Sequence, residues 1–185
     1  FKPSAEEAPL VKQLQLLTTK PVLYVCNVEE ASAADGNALS AKVAARAKSI
    51  GAASVVVSAK IESEVAVLAD PAERAEFLAG LGLKETGLAR VVRAGYALLD
   101  LITFLTAGPK EARAWTIRRG AKAPQAAGVI HSDFERGFIC AETIAYADYI
   151  ACGGEQGAKD AGKMRQEGRD YEVKDGDIML FRFNV

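Results

Sequence analysis

The sequence is poor in the residues from which metal sites and disulfide frameworks are built. Its 185 residues include one histidine and three cysteines. Cys26, Cys140 and Cys152 lack the spacing of metal ligands, and they form an odd set. A zinc site or a disulfide framework is therefore not favoured, and we expect reduced, mostly buried thiols of the kind found in a cytosol.

Net charge and long apolar segments are equally scarce. The formal net charge is −1, so no overall basic field draws the chain to nucleic acid, and any such contact needs a local patch. No apolar run approaches the ~20 residues that span a bilayer. No charged segment followed by an apolar one marks a secretory signal. These absences favour a cytoplasmic protein. The single tryptophan, Trp115, is expected to fill a core or an interface.

What remains is the composition of an ordinary globular protein. Half of the residues are hydrophobic and a quarter are charged. The length suffices for one large domain or two small ones with real cores. Because the chain begins with Phe1 rather than Met, we expect it to be processed, truncated or the ordered part of a longer chain.

The segment from Lys20 to Glu30 organises the first half of the chain. Its apolar run, Val22–Cys26, has no polar alternation, which is typical of a strand buried on both faces of a parallel sheet. A helix is predicted over residues 37–50, and a second β-branched strand over residues 54–57. Strand, helix and strand at this spacing predict a parallel βαβ unit with a right-handed crossover.

Start and stop signals predict the other elements of this half. The predicted helices cover residues 4–17, with a capping box between Ser4 and Glu7; a segment opening at Asp70-Pro71; and residues 86–102. Around Asp100 the pattern changes from helical spacing to short strand-length segments. We therefore place a domain boundary near Asp100.

The order of short strands and helices in the second half predicts a compact α+β domain of about 85 residues. A hairpin is predicted from two strand-length segments, residues 101–106 and 113–118, which are separated by the turn residues Gly108-Pro109. A helix is expected over residues 124–130 and a strand over residues 138–144. Residues 171–173 and 178–183 flank an Asp-Gly turn signal at Asp175-Gly176.

The strongest candidate site lies where the two strands of the βαβ unit end. Asn27 and Glu30 follow the first strand, and Ser58 and Ala59 follow the second. The carboxyl ends of parallel strands meet at one sheet edge, where open α/β sheets bind ligands. Asn27 could lock the two loops together while the backbone of Ser58-Ala59 donates to a purine base. The structural alternatives are a helix cap or loop at Asn27 and an ordinary strand-to-helix turn with Ser58 as the cap.

Two weaker candidates are less favoured. His131 stands beside Ser132 and Asp133, but no Gly-x-Ser-x-Gly pattern accompanies it, and we predict a loop after a helix there. A glycine-punctuated segment carries four cations that could contact RNA phosphates. Interleaved acidic residues favour a solvated, partly helical loop instead. The four cations are Lys159, Lys163, Arg165 and Arg169.

Several longer blocks resemble a known family. They are K-P-V-L-Y-V-C-N-V-x-E from Lys20, V-V-R-A-G-Y from Val91, T-A-G-x-K-E-x-R-A-W-T-I from Thr106, A-P-Q-A-A-G-x-I-H-x-D-F-E-x-G-F from Ala123 and V-K-D-G-D from Val173. Together they resemble the YchF, or Obg-like ATPase, branch of the P-loop NTPases, and the resemblance runs over essentially the whole chain.

The resemblance implies an α/β fold followed by an α+β fold. Residues 1–19 would be a helix returning from a helical insertion. Residues 20–99 would be the second half of the nucleotide-binding domain, a partial P-loop NTPase with a Rossmann-like parallel sheet. Residues 100–185 would be a TGS domain, which has a ubiquitin-like β-grasp fold.

The resemblance also implies a function. In that family the Asn-Lys-x-Asp element of GTPases becomes Asn-x-x-Glu, and ATP is preferred over GTP. Asn27 and Glu30 fall on that element, with Val28 lying against the adenine, and Ser58 and Ala59 match the next base-contacting loop. The family hydrolyses ATP and associates with ribosomes, and we expect the large subunit as the partner.

The parts that would hold phosphates are missing from the sequence. No Gly-x-x-x-x-Gly-Lys-Ser/Thr is present, nor the residues that would bind Mg²⁺, and we expect all of these upstream of Phe1. No catalytic or metal residue can therefore be named. Two alternatives stay open: a ribosome- or RNA-binding module with no nucleotide role, and a β-grasp domain with an inert α/β remnant.

Overall fold

A computed structural model describes residues 3–109 and 111–184, which fall into two compact units, 1–99 and 100–185. The first unit contains two strands and five helices within the described residues, besides short 3₁₀ turns at Leu17–Thr19 and Glu30–Ser32. They are α1 (Ala8–Gln13), β1 (Leu23–Asn27), α2 (Ala38–Ser49), β2 (Ala53–Val57), α3 (Ala59–Val67), α4 (Pro71–Gly80) and α5 (Gly87–Leu98).

The β1–α2–β2 segment forms the predicted parallel unit. Val25 pairs with Val55 in a two-stranded parallel sheet, which confirms the predicted strand direction. The prediction that the first strand is buried on both faces is wrong, because Val25 is 50% exposed and Val22 45%. Only β2 pairs with β1 among the described residues, so the outer edge of β1 has no neighbour to cover it.

The first helix is shorter than predicted. Ser4 and Glu7 exchange the two hydrogen bonds of a capping box, at 2.8 and 3.3 Å, yet the regular helix covers only Ala8–Gln13. Gln15 adopts a left-handed backbone conformation (φ 52°), which ends the helix. The predicted apolar positions Leu10, Leu14 and Leu17 are all exposed.

Local cap chemistry sets the other helix boundaries of this unit. The side chains of Asn37, Asp70 and Thr86 accept hydrogen bonds from the first turns of α2, α4 and α5. Helix α5 ends at Leu98 rather than continuing to Ile102, because Asp100 takes a left-handed conformation (φ 55°). The buried core of the unit consists of Ala33, Ile61, Val65, Leu78 and Leu83.

The second unit is a five-stranded mixed sheet with helices. Its elements are β3 (Leu101–Ala107), β4 (Ala112–Arg118), α6 (Ala123–Ile130), α7 (Ser132–Arg136), β5 (Phe138–Ala145), α8 (Tyr146–Ala151), α9 (Glu155–Asp160), β6 (Arg165–Glu167) and β7 (Asp177–Phe183). The strand order is β4-β3-β7-β5-β6, with β3 and β7 parallel and the other pairs antiparallel. The predicted hairpin of residues 101–118 and the α+β class are confirmed.

The core of the second unit lies on one face of this sheet. Phe104 is fully buried and meets the ring of Phe181 edge-on, with centroids 5.9 Å apart. Trp115 stacks on Phe104, so the tryptophan belongs to this core, as predicted. Helix α6 contributes its buried alanines, Ala126 and Ala127. Alanine lets the helix approach the sheet closely, since it carries no side chain beyond Cβ.

The predicted strand at residues 171–173 is wrong. That segment makes one isolated bridge, between Lys122 and Glu172, and β7 lies between β3 and β5 instead of pairing with it. The backbone of this segment is paired elsewhere: the Val173 N–H donates to the Ala121 carbonyl at 3.0 Å, and the Tyr171 carbonyl accepts from the Ala123 N–H at 2.9 Å. The turn that follows is held by Asp177, which accepts hydrogen bonds from the Tyr171 hydroxyl at 2.7 Å and from the Lys174 N–H at 2.9 Å.

The loop predicted at His131 is more regular than expected, and the partly helical loop predicted after Gly153 contains a strand as well as a helix. His131 is the N-cap of the short helix α7, and the region from Gly153 to Asp170 contains α9 and β6. Their regularity depends on contacts with the rest of the unit, such as the pairing of Thr143 with Arg165. Within the described ranges, no helix combines the length and apolarity needed to cross a membrane.

We expect Gly137→Ala to destabilise the chain. A Cβ at Gly137 would clash with the backbone carbonyl of Asn184, whose N–H also bonds to the Gly137 oxygen at 2.9 Å. Overpacking against backbone costs about 1–3 kcal/mol. Gly168→Ala is the matched control, because a Cβ there meets nothing within 4 Å. Urea unfolding of both variants measures the difference, and equal midpoints would contradict the close approach.

Candidate functional site

The ends of β1 and β2 are joined by one side chain. Asn27 is the last residue of β1 and lies opposite Val57 in the sheet register. Its Oδ1 accepts a hydrogen bond from the Ala59 N–H at 2.9 Å. The lock between the two loops that the sequence predicts is therefore present, and it uses the Ala59 N–H that could otherwise have donated to a base.

Two polar groups at this point have no partner among the described residues. The Asn27 side chain is exposed, and its amide N–H₂ makes no hydrogen bond within residues 3–109 and 111–184. The Ser58 hydroxyl is buried, with the residue 2% exposed, and is also unpartnered. Buried polar groups are nearly always satisfied, so an exception calls for an explanation.

The side chain of Ser58 does not cap a helix. It occupies the N-cap position of α3, but its side chain makes no capping hydrogen bond. The structural alternative for this residue, an ordinary capping serine, therefore does not describe the geometry. Its hydroxyl is unpartnered but enclosed at the same strand end as Asn27.

Val28 is more enclosed than its neighbours. Its N–H donates to the Val57 carbonyl at 2.8 Å, which extends the β1–β2 ladder by one residue. Its side chain is 8% exposed. A ligand can therefore reach only a small part of it, and its contact with a base stays a prediction.

Glu30 pairs with a cation while its side chain remains 51% exposed. Its Oε1 lies 3.4 Å from the Lys60 Nζ, and Lys60 also donates to Glu64 at 2.5 Å. The pKa of the Lys60 ammonium is raised, first by the hydrogen bond with Glu64 and then by Glu30. A second contact thus links the two loops, and the charge of Glu30 is compensated locally.

Sequence reasoning missed Glu62. Its carboxylate accepts hydrogen bonds from the N–H groups of Gly87 at 2.6 Å and Leu88 at 3.1 Å, so it caps α5 from a different helix. Glu62 and Ala59 line one cavity of about 700 Å³, with Leu88 among its apolar walls. The only sequence signal was Thr86-Gly87 at a helix start, which does not reveal a partner 25 residues away.

The weaker candidates have structural roles. The Nδ1 of His131 accepts from the Asp133 N–H at 3.2 Å as a helix cap. Three of the four cations in the predicted RNA-contact cluster have internal partners: Lys163 with Asp148, Arg165 with Glu167, and Arg169 with the Phe138 carbonyl. Within the described part of the chain, no group of three His, Cys, Asp or Glu side chains is placed to hold a metal ion.

Known proteins share both the sequence and the fold. The family model YchF-GTPase_C, described as "Protein of unknown function (DUF933)", matches residues 101–184. "Ribosome-binding ATPase YchF" of Bacillus subtilis (strain 168) is 56% identical over 182 residues, covering 97% of this chain and 50% of the relative. "Obg-like ATPase 1" of Oryza sativa subsp. japonica is 41% identical over 177 residues, covering 95% and 45%.

A solved structure agrees with this assignment. The "Structure of the Schizosaccharomyces pombe YchF GTPase" superposes with a TM-score of 0.82 at 34% identity, covering 98% of this chain and 48% of that one. The sequence and the fold therefore point to the same family of proteins. The chain belongs to the YchF, or Obg-like ATPase, family. It spans about half the length of the curated relatives it matches.

We expect the acceptor of Asn27, rather than its amide group, to stabilise the first unit. Asn27→Ala removes the bond to the Ala59 N–H and should lower the free energy of unfolding by about 0.5–1.5 kcal/mol. Asn27→Asp keeps an oxygen acceptor in place and serves as the matched control, with little loss expected. Denaturant unfolding measures the free energy of unfolding of both variants. An equal loss of stability in the two would contradict a stabilising role for the bond from the Ala59 N–H to Asn27 Oδ1.

Proposed function

We propose that this chain supplies base recognition and ribosome contact to an ATPase whose phosphate-binding residues lie elsewhere in the full-length protein. The observation that carries the proposal is the convergence of Asn27, Ser58 and Ala59 at the ends of two parallel strands, joined by the 2.9 Å bond. Ligands of open α/β sheets bind at this edge. The names of the relatives, which include "Ribosome-binding ATPase", support it.

The free groups of Asn27 match adenine. A carbonyl oxygen has two lone pairs, so Oδ1 can accept a second hydrogen bond besides that of Ala59. Together with the free amide N–H₂ it offers one acceptor and one donor side by side. Adenine presents the complementary pair, its N6 amino group and N7.

The position of Glu30 disfavours guanine. A free carboxylate in an Asn-Lys-x-Asp element would accept from the N1–H and amino group of guanine. In this chain the Glu30 carboxylate is 3.4 Å from the Lys60 ammonium, which competes for it. We propose that this pairing weakens the contact with guanine and that ATP is therefore preferred over GTP.

The surface of the first unit fits a part of a larger nucleotide-binding domain. Large apolar side chains are exposed on β1, α2 and α5, including Val25 at 50%, Leu39 at 70% and Leu88 at 65%. Concentrated apolar exposure marks an interaction surface. We propose that other residues of the full-length protein cover it and supply the phosphate cradle and the Mg²⁺ ligands.

The second unit is proposed as the TGS domain that contacts the ribosome, at its large subunit, in the cytoplasm. The contact predicted for Lys159, Lys163, Arg165 and Arg169 remains a hypothesis. The internal partners of three of them reduce the positive charge available to RNA phosphates.

We expect the purified 185-residue chain to release no phosphate from ATP. Phosphoryl transfer depends on positioning and neutralising the phosphates, and no P-loop motif is present in the sequence. Steady-state phosphate release with Mg²⁺ and ATP tests this, with a preparation lacking the chain as the contamination control. Phosphate release that rises with the concentration of the chain would contradict the proposal that the phosphate-binding residues lie elsewhere in the full-length protein.

We expect Val28→Lys combined with Glu30→Asp to shift the full-length protein toward GTP. A shorter carboxylate in a GTPase-like element restores a charged acceptor for guanine, worth about 1–3 kcal/mol in the ATP/GTP preference. Competition of ATP and GTP against a fluorescent ATP analogue measures the ratio. Glu64→Gln is the control, because it changes a Lys60 partner but leaves Glu30 in place.

The outcomes separate the competing hypotheses. An unchanged ATP/GTP ratio in the double variant would show that the Asn-x-x-Glu element does not set base preference. A wild-type protein that binds ribosomes but no nucleotide would favour the binding module with no nucleotide role.

A further inference from the structure

We propose that the edge strand β4 and the turn after it form an RNA-binding surface, here called the β4 surface and made of Arg113, Arg118 and Arg119. The inference rests on the proposed ribosome association and names the part of the second unit that meets RNA. It differs from the predicted cluster at Lys159–Arg169, where Asp160 and Glu167 lie between the cations and offset part of their charge.

Positive charge is concentrated along this part of the sequence. Residues 110–122 contain five Lys or Arg residues and one acidic residue, Glu111, giving +4 in a chain whose net charge is −1. Local positive charge of this kind supplies the sequence-independent attraction to RNA phosphates. No other part of the second unit has so many cations with so few acids between them.

These arginines are also available. Neither Arg113 nor Arg118 makes an ion pair with any residue that the structure describes, and both are exposed. Arg119 pairs with Asp100 at 3.2 Å, but both side chains are more than half exposed. Exposed pairs contribute little and exchange readily, so Arg119 can release Asp100 for a phosphate.

The sheet holds the arginines in an extended row. β4 pairs only with β3, so its outer edge is open among the described residues. Arg113 and Arg118 are five residues apart, or about 17 Å along the strand, and point to opposite faces of the edge. Long side chains on both faces can therefore flank a nucleic-acid strand that follows the edge.

One end of the row is preorganised by an aromatic ring. The Arg113 guanidinium lies 4.1 Å from the centroid of the Trp115 ring. Trp115 in turn stacks on buried Phe104 and donates its indole N–H to Thr106 at 2.9 Å. The contact with the ring places the guanidinium beside the sheet, where it can bind a phosphate or stack on a base.

The other end of the row borders a cavity. About 500 Å³ of space lies beside Arg118 and Arg119, with Leu101, Ile117 and Val129 among its apolar walls. An apolar cavity rimmed by guanidinium groups suits an unstacked base with its phosphate. An acidic peptide could pair with the open backbone edge, but it would use neither this cavity nor the arginine–tryptophan stack. The features together favour RNA.

The test compares two charge reversals of equal size in the full-length protein. Arg113→Glu/Arg118→Glu alters the β4 surface, and Lys159→Glu/Lys163→Glu is the matched control. Ribosome co-sedimentation and binding of a fluorescent single-stranded RNA oligonucleotide are measured over a salt series. We expect the arginine variant to bind RNA at least about tenfold more weakly, with a salt slope lower by about one to two units. The lysine variant should change little.

Controls keep the outcome interpretable. Arg113→Gln/Arg118→Gln removes the charges without introducing repulsion, and an unchanged melting temperature shows that the fold is kept. Equal weakening by the arginine and lysine variants would overturn the proposal, as would wild-type-like RNA binding by both arginine variants. Arginine variants that lose binding to a poly-glutamate peptide while keeping RNA would also overturn it.

The two proposals fail differently. If the wild-type protein does not sediment with ribosomes but its RNA binding depends on Arg113 and Arg118, the β4 surface stands and the ribosome association fails. If the wild type sediments and the arginine variants sediment equally well and bind RNA equally well, the ribosome association stands and the β4 surface is wrong.

Discussion

The hydrogen bond from the Ala59 N–H to Asn27 Oδ1 connects residues 32 positions apart and sets what the first unit presents at its sheet edge. The bond uses the Asn27 oxygen and the Ala59 N–H, and it joins the loop after β1 to the loop after β2. The Asn27 amide N–H₂ is left without a partner in the described part of the chain. The ion pair of Glu30 with Lys60 adds a second link between the same loops. The base recognition proposed for this edge would therefore use the same side chains that make the edge rigid, as in a preorganised site.

The second unit depends on a different constraint, a buried carboxyl group. Asp177 is 2% exposed at the start of the central strand β7, and the Tyr171 hydroxyl and the Lys174 N–H donate to it. Burial, followed by the hydrogen bond with Asp177, raises the pKa of Tyr171 to about 12, so the phenol remains a donor. The network anchors the turn before β7 and allows that strand to enter between β3 and β5.

Sequence predicts those features whose causes are local. Caps at Asn37, Asp70 and Thr86 and the alternation of short strands follow from adjacent residues, and so does the convergence of Asn27 with Ala59, because parallel strand ends must meet. Burial of Val25 could not be predicted, since it depends on which strands stand beside β1. The cap that Glu62 places on α5 and the pairing of Glu30 with Lys60 depend on side-chain geometry across helices. Sequence spacing does not encode that geometry.

The unpartnered hydroxyl of Ser58 has a consequence for protein engineering. A buried polar group without a hydrogen bond costs about 1–3 kcal/mol of stability. Selection for thermal resistance alone should therefore replace this serine with alanine early, which makes position 58 a sensitive indicator of such selection.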